Sequence, residues 1–314
     1  TPAAGYADAI TGDFYYNSTT GQFKTVNDGG APIGSWASGG ALNTGRLGIA
    51  GFGNTTPTAF AVGGETPSSK IANVESYDGS SWTETTDINT ARMYSVGDGS
   101  STAGLIAGGE NASNANVTNV ELWDGSAWTE TTDMNTVTRI AGATKSSTNT
   151  AVMSFGGLAA GNSLSDKNEY WNGSSWTELN NLNTAKYGLS GAGVYPSALA
   201  FAGYTTTNIA NTESWDGTSW TEVNDLNTAR RGGGSGGTNT SALFFGGDPS
   251  KANTEAWNGT SWSEVADLSP AQQWGGSTAS QSNTSNLFFG GQPQVTTTQS
   301  WEAGDFAIKT VTTS

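Results

Sequence analysis

The fifth of six similar units reads Leu226-Asn227-Thr228, then Arg230, then Ala242-Leu243-Phe244-Phe245-Gly246-Gly247, then Glu255, Trp257, Asn258-Gly259 and Trp262. An apolar run ends in a Gly pair. An acid and an aromatic two residues later lead into an Asn-Gly turn, and Trp opens the next strand. Asn-Gly tolerates positive φ and suits the tight turn between antiparallel strands. The Gly pair permits close backbone approach at the end of a buried strand. Trp-Ser-Glu alternates apolar and polar residues, as a half-buried strand does.

The unit recurs. Trp36, Trp82, Trp128, Trp176, Trp220 and Trp262 stand 42–48 residues apart. Leaders like Leu42-Asn43-Thr44 precede a basic residue in five units: Arg46, Arg92, Arg139, Lys186 and Arg230. In the last unit the leader is Leu268-Ser269-Pro270, followed by Gln272. An acid or amide (Glu75, Glu121, Glu169, Glu213, Glu255, Gln299) precedes an aromatic (Tyr77, Trp123, Trp171, Trp215, Trp257, Trp301). Each unit reads as four short strands, in the first copy a (46–53), b (58–63), c (73–78) and d (81–87). A four-stranded sheet of this size cannot bury both faces alone. Packing such sheets around an axis solves that problem, which predicts an all-β, six-bladed β-propeller. The last unit lacks an ordinary fourth strand, so Gly34–Leu42 or Asp305–Val311 is expected to supply it. A seventh blade would need residues 13–26 to form most of a sheet, and that segment has no Gly-Gly strand.

The repeated basic residue, Gly pair, aromatic-turn pair and Trp resemble the Kelch repeat over residues 36–311. The expected architecture is therefore a Kelch-like propeller over 31–314, preceded by an N-terminal hairpin segment over 1–30. Within that segment Phe14-Tyr15-Tyr16-Asn17 and Gly21-Gln22-Phe23-Lys24-Thr25 read as a β-hairpin. The hairpin resembles segments of bacteriophage tail fibres, and the Leu-Asn-Thr-Ala-Arg leader is similar to Kelch-like repeats of marine phage fibre proteins. The resemblance implies a virion, extracellular protein. It implies a propeller that contacts a host cell-surface glycan or receptor, an N-terminal segment that joins other virion proteins, and a homotrimer as in many fibres. The alternative is a protein–protein or virion-decoration module without glycan binding.

Composition bounds the chemistry. The net charge of −15, from 12 Lys and Arg against 27 Asp and Glu, repels nucleic acid and anionic membranes. No apolar stretch approaches a membrane span, and no membrane insertion is expected. The first residue is Thr1 rather than Met, which leads us to expect a processed chain or a fragment. With no Cys and no His there is no disulfide, no thiolate or imidazole zinc site and no His base. Galactose oxidase, an enzyme with Kelch-like blades, uses His and Cys at its copper site, so its activity does not carry over. No enzymatic activity, cofactor or metal is expected.

The repeated Trp residues could stack on sugars, but identical spacing favours filling the space between blades. The repeated bases could ring a pore, but pairing with the Glu75-type carboxylates to fix blade register is favoured. The second acid series, Glu84, Glu130, Glu178, Glu222 and Glu264, is expected on solvent-facing outer strands. Binding residues should depart from the repeat. The longest b–c loops (65–72, 110–118, 158–167) and the extra aromatics Tyr94, Tyr187, Tyr195, Tyr204 and Trp274 are the candidate ligand contacts. The competing reading makes Tyr94, Tyr187 and Trp274 plugs of the central channel.

Overall fold

The structure is a computed structural model that describes residues 14–17, 22–25, 34–54 and 56–303. Six four-stranded antiparallel sheets form the blades. From the innermost strand a to the outermost strand d, blade 1 comprises Ala50–Phe52, Phe60–Val62, Val74–Tyr77 and Trp82–Thr85. Blade 2 comprises Val96–Ser100, Ala103–Ala107, Val120–Trp123 and Trp128–Glu130. Blade 3 comprises Gly142–Ala143, Val152–Phe155, Asn168–Trp171 and Trp176–Glu178. Blade 4 comprises Ser190–Val194, Ser197–Phe201, Thr212–Trp215 and Trp220–Val223. Blade 5 comprises Gly234–Gly237, Ala242–Phe245, Thr254–Trp257 and Trp262–Val265. Blade 6 comprises Gly276–Ser277, Ser285–Phe289, Thr298–Ala303 and, from the other end of the chain, Gly34–Ser38.

The ring is thus closed by the N-terminal strand, with Trp36 opposite Trp301 in the antiparallel register. The rival strand, Asp305–Val311, lies outside the described residues. The expected hairpin is present, with Phe14 opposite Thr25 and Asn17 opposite Gln22. The expected domain boundary near residue 30 lies outside the described residues. Expected strand a of blade 1 began at residue 46, whereas the strand starts at Ala50. Residues 46–49 belong instead to the crossover from blade 6, because Arg46 is held by hydrogen bonds to carbonyls of its own blade.

Local chemistry explains the units. At the c–d turn Asp78 accepts hydrogen bonds from the backbone N–H groups of Ser80 and Ser81, both at 2.8 Å. These bonds, that from Ser81 foremost, hold its carboxyl well below the usual carboxylate range. The Gly pair makes the joint between blades. Gly63 and Gly64 have φ of +60° and +108°, and the Gly64 N–H donates to the Arg92 carbonyl of the next blade at 2.9 Å. A Cβ on Gly63 would lie 2.4 Å from that same carbonyl oxygen.

The hydrophobic core is divided among the gaps between blades. Among the described residues it falls into six clusters, each centred on the gap between two neighbouring blades, with Ala279 of blade 6 joining the cluster between blades 1 and 2. Trp82, Trp128, Trp176, Trp220 and Trp262 are buried there, and Trp36 is half-buried. In four gaps the indole meets the last Phe of strand b in the preceding blade: Trp36–Phe245, Trp82–Phe289, Trp220–Phe155 and Trp262–Phe201, at centroid separations of 4.8–5.2 Å. These are edge-to-face contacts, the geometry favoured by aromatic quadrupoles. The acids of the second series, Glu84, Glu130, Glu178, Glu222 and Glu264, are exposed as expected.

Candidate functional site

Four of the five repeated basic side chains, Arg46, Arg92, Lys186 and Arg230, are interior struts. Arg46 pairs with Glu75, Arg92 with Glu121 and Lys186 with Glu213, each at 3.1 Å, and Arg230 pairs with Glu255. Burial lowers the pKa of all four bases, and the partner carboxylates oppose that shift. Each pair ties the segment arriving from the previous blade to strand c of its own blade. Asn43 completes the tie by donating from its N–H to Glu75 at 2.7 Å and from Nδ2 to the Trp82 carbonyl at 2.9 Å.

Arg139 departs from this expectation. In the other four units the base follows Asn by three residues, and in blade 3 that position is Thr138. The backbone register agrees, because Gly109 donates to the Thr138 carbonyl just as Gly64 donates to that of Arg92. Arg139 is displaced one residue outward and pairs with Glu110, while its Nη2 donates to Asn162 Oδ1 at 2.9 Å. In blade 6 both members of the pair are neutral, and Gln299 donates from Nε2 to Gln272 Oε1.

Two residues beyond the basic position the six blades carry Gly48, Tyr94, Ile140, Gly188, Gly232 and Trp274. All six have φ between +56° and +67°. This left-handed conformation turns each N–H around the axis. Tyr94 donates to the Gly48 carbonyl, Ile140 to Tyr94, Gly188 to Ile140, Gly232 to Gly188, Trp274 to Gly232 and Gly48 to Trp274, at 2.7–3.0 Å. The result is a closed ring of six hydrogen bonds at one mouth of the central channel. Glycine adopts this conformation at little cost, whereas another residue there loses roughly 1–2 kcal/mol. Three blades nevertheless hold large side chains at it, and Ile140 is β-branched, the least suited type.

The glycines make room for those side chains. The Tyr94 ring lies against Gly48, where a Cβ would be 3.0 Å from Cε1. The Trp274 ring covers Gly232, where a Cβ would be 2.7 Å from Cδ2, and reaches Gly188. Tyr94 and Trp274 meet edge to face at 5.7 Å. Burial pushes the Tyr94 hydroxyl up to about 12, with Glu65 adding to the shift, so it remains protonated and can donate.

Around this ring stands a second tier of cross-linked positions: Leu47–Glu65, Arg139–Leu158, Tyr187–Tyr204 and Arg231–Asp248 bridges, with Met93 opposite Glu110 in blade 2. These pairs differ in every blade, while the struts beneath them repeat. On the side of blades 4 to 6, Arg231 pairs with Asp248 at 2.6 Å. Its guanidinium lies 4.3 Å from the Tyr204 ring centroid, 5.4 Å from that of Tyr187 and 5.8 Å from that of Trp274. On the side of blades 1 to 3, Glu110 accepts from both Lys70 (2.8 Å) and Arg139, and Arg139 in turn donates to Asn162, so the three longest b–c loops are linked through these side chains.

Four of the five candidate aromatics therefore converge. Tyr94 and Trp274 line the axial mouth, and Tyr187, Tyr204 and Trp274 surround Arg231 beside it; all four aromatics are half-buried. Tyr195 does not join them. It sits in the a–b turn of blade 4, at the opposite end of strand a, stacked on Tyr170 with centroids 4.1 Å apart. The channel-plug reading fits Tyr94 and Trp274, which line the mouth, but Tyr187 stands outside the ring beside Tyr204.

Below the mouth the channel is walled by small residues such as Gly51, Gly97, Ala143, Gly191, Ser235 and Ser277, with Lys145 among its lining. Asp98, wholly buried, accepts from the N–H groups of Gly99 (2.7 Å) and Ser146 (2.9 Å) and from Ser146 Oγ (2.9 Å). Burial nevertheless raises its pKa to about 6. Burial also lowers the pKa of Lys145, against the opposing charge of Asp98. Sequence reading missed Arg231, Asp98 and Lys145. Arg231 was hidden by the adjacent Arg230, whereas the signal for the other two was a charge among small residues, Asp98 within the inner strand of blade 2 and Lys145 two residues past that of blade 3.

No protein-family model and no curated protein matches the chain. Among solved structures, that of YjhT superposes with a TM-score of 0.67 at 13% identity, covering 83% of this chain and 95% of YjhT. At that identity the likeness is one of fold, and it agrees with the propeller architecture.

Proposed function

We propose that this chain is a Kelch-like propeller of a phage virion, a tail-fibre-like adhesin that takes host-surface glycans at the axial mouth formed by Tyr94, Tyr187, Tyr204 and Trp274. One observation carries the reading: large side chains are kept at Tyr94, Ile140 and Trp274 in a conformation that three sister blades assign to glycine. Backbone strain of this kind gathers at ligand sites. Aromatic faces beside polar groups suit sugars, whose ring C–H groups stack while their hydroxyls bond to Tyr, Arg231 and Asp248. The fibre-like hairpin at Phe14–Thr25 supports a virion setting, with residues 1–30 as the attachment segment.

The test is a glycan array and a host-cell binding assay with the full chain and with Trp274→Gly. Binding by the parent chain, reduced about tenfold or more by the substitution, is expected for a central aromatic contact. Absence of any host-surface binding, together with tight docking to another virion protein, would replace this reading with a decoration module. Glycan binding unchanged by Trp274→Gly would move the site elsewhere.

A further inference from the structure

The six blades are an internal comparison, and at the buried strut they obey a charge rule that blade 3 breaks. Blades 1, 2, 4 and 5 place one cation on one carboxylate. Blade 6 replaces both partners with glutamine, so its sum is again zero. Blade 3 keeps the acid, Glu169, and puts Thr138 where the cation belongs. Glu169 is 2% exposed. Its Oε1 accepts from the Thr136 N–H (2.7 Å) and its Oε2 from the Asn135 N–H (2.9 Å) and Nδ2 (3.3 Å), the same leader bonds that Glu75 accepts in blade 1, but it has no ion pair among the described residues. A buried carboxylate without a counter-charge is costly.

A second substitution accompanies the first. Ser154 lies directly opposite Glu169 in the strand register. The corresponding residues of blades 1, 2, 4, 5 and 6 are Ala61, Ile106, Ala200, Phe244 and Phe288, all apolar. Ser154 is 3% exposed, and its hydroxyl has no hydrogen-bond partner among the described residues. Strand alternation puts it on the same side of the sheet as Val152 and Trp171, facing the gap between blades 2 and 3. Thr138, 6% exposed, adds a third oxygen, its hydroxyl donating to the Gly156 carbonyl at 3.2 Å. In blades 1 and 5 the guanidinium also uses carbonyls, Ala61 for Arg46 and Phe244 for Arg230, each at 3.1 Å. The register equivalent of those carbonyls in blade 3 is that of Ser154 itself.

We infer that blade 3 binds a monovalent metal cation, of the size of potassium, between Glu169, Ser154 and Thr138, in place of the missing side-chain cation. The charge fixes the valence: one carboxylate is balanced by one positive charge, as by Arg or Lys in the sister blades, whereas a divalent ion would leave an excess buried charge. Lys186 sets the size, since an ammonium group fills this position in blade 4 at 3.1 Å from Glu213. The donors are one carboxylate plus hydroxyl and carbonyl oxygens, a set suited to hard cations. The sequence carries no metal-binding motif here, because the site exists only where the repeat fails.

The test is thermal unfolding of the full chain in potassium chloride, sodium chloride and choline chloride at equal ionic strength. The melting temperature should be higher in potassium than in choline by about 2 °C or more. Glu169→Gln, which copies blade 6, and Thr138→Lys, which copies blade 4, should each abolish that difference. Ser154→Ala should shrink it. If Thr138→Lys does not fold, Glu169→Gln decides alone. Equal melting temperatures of the parent chain in potassium and choline would overturn the inference. So would a potassium effect that survives Glu169→Gln. In crystals grown with thallium(I), an anomalous peak beside Glu169 is expected, and an empty map there would equally reject the site.

Discussion

The indole Nε1–H of Trp82 donates to Thr298 Oγ1 at 2.9 Å, across 216 positions of sequence and across the seam between the first and last blades. Trp36–Thr254 and Trp262–Thr212 repeat the bond at 2.9 and 3.1 Å. The equivalent strand-c residues of blades 1 and 2 are Val74 and Val120. Trp128 then turns to the Thr86 carbonyl at 3.1 Å, and the buried Trp176 Nε1 has no partner. Thr298→Val should therefore cost about 1–3 kcal/mol, the penalty of orphaning a buried donor. Val120→Thr should stabilise the fold by about 1 kcal/mol by giving Trp176 an acceptor. Denaturant unfolding of both variants checks the pair of signs. Equal effects in the same direction would reject this account of the seam.

Two tryptophans should separate folding from binding. Trp128 packs edge to face on Phe52 between blades 1 and 2, and Trp128→Ala should cost about 3–5 kcal/mol. Host-surface binding at a permissive temperature should survive it. Trp274→Gly does the reverse: it removes the half-buried indole but relieves a residue at φ +57°. Its melting temperature should stay much closer to that of the parent chain than that of Trp128→Ala, while glycan binding is lost. Paired melting and binding curves measure both.

Asp98 makes stability depend on pH in a defined direction. Its folded pKa, about 6, lies above the ordinary value of 3.8. The native state therefore holds a proton that the unfolded chain has released between those values. The contribution of Asp98 is full below the lower pKa and is lost as pH rises through the upper one. Unfolding free energies of the parent chain and Asp98→Asn, compared from acid to neutral pH, should diverge across that window. The parent chain should lose up to about 3 kcal/mol relative to the variant. Parallel profiles would show that the hydrogen bonds from Ser146 and Gly99 already hold the carboxyl ionised.

The blades were legible because their chemistry is local. Turn glycines, the Gly pair and alternating Trp-Thr-Glu strands each carry their own reason in a few residues. The strut was legible only to within one residue. Arg139 looks like the repeated base, and only counting three residues from Asn135 exposes Thr138 in its place. The axial mouth was legible as four aromatics outside the repeat, but not as a site. What gathers them is the ring of bonds through Gly48, Tyr94, Ile140, Gly188, Gly232 and Trp274, and each bond joins residues more than 40 positions apart. Tyr195 met the same sequence criterion and lies at the other end of strand a. Departure from a repeat gives no direction along the axis.

The closing strand was likewise undecided in sequence, and its position in the structure makes the last prediction. Gly34–Ser38 pairs with Thr298–Ala303 and brings Trp36 within 4.8 Å of Phe245 and 5.5 Å of Trp301. Deleting residues 34–38 removes that ladder and the Trp36–Thr254 bond together. Strand c of blade 6 then becomes an open edge, with unpaired N–H and C=O groups and the exposed face of Trp301 beside it. Open edges of this kind recruit other strands. The shortened chain should melt far below the parent and associate, as read by calorimetry and light scattering. Adding the peptide 31–41 in excess should restore both the melting temperature and the association state of the parent, since it supplies the missing strand. A shortened chain that keeps the parent's association state and melts with it would mean that the ring is held by the inner strands alone.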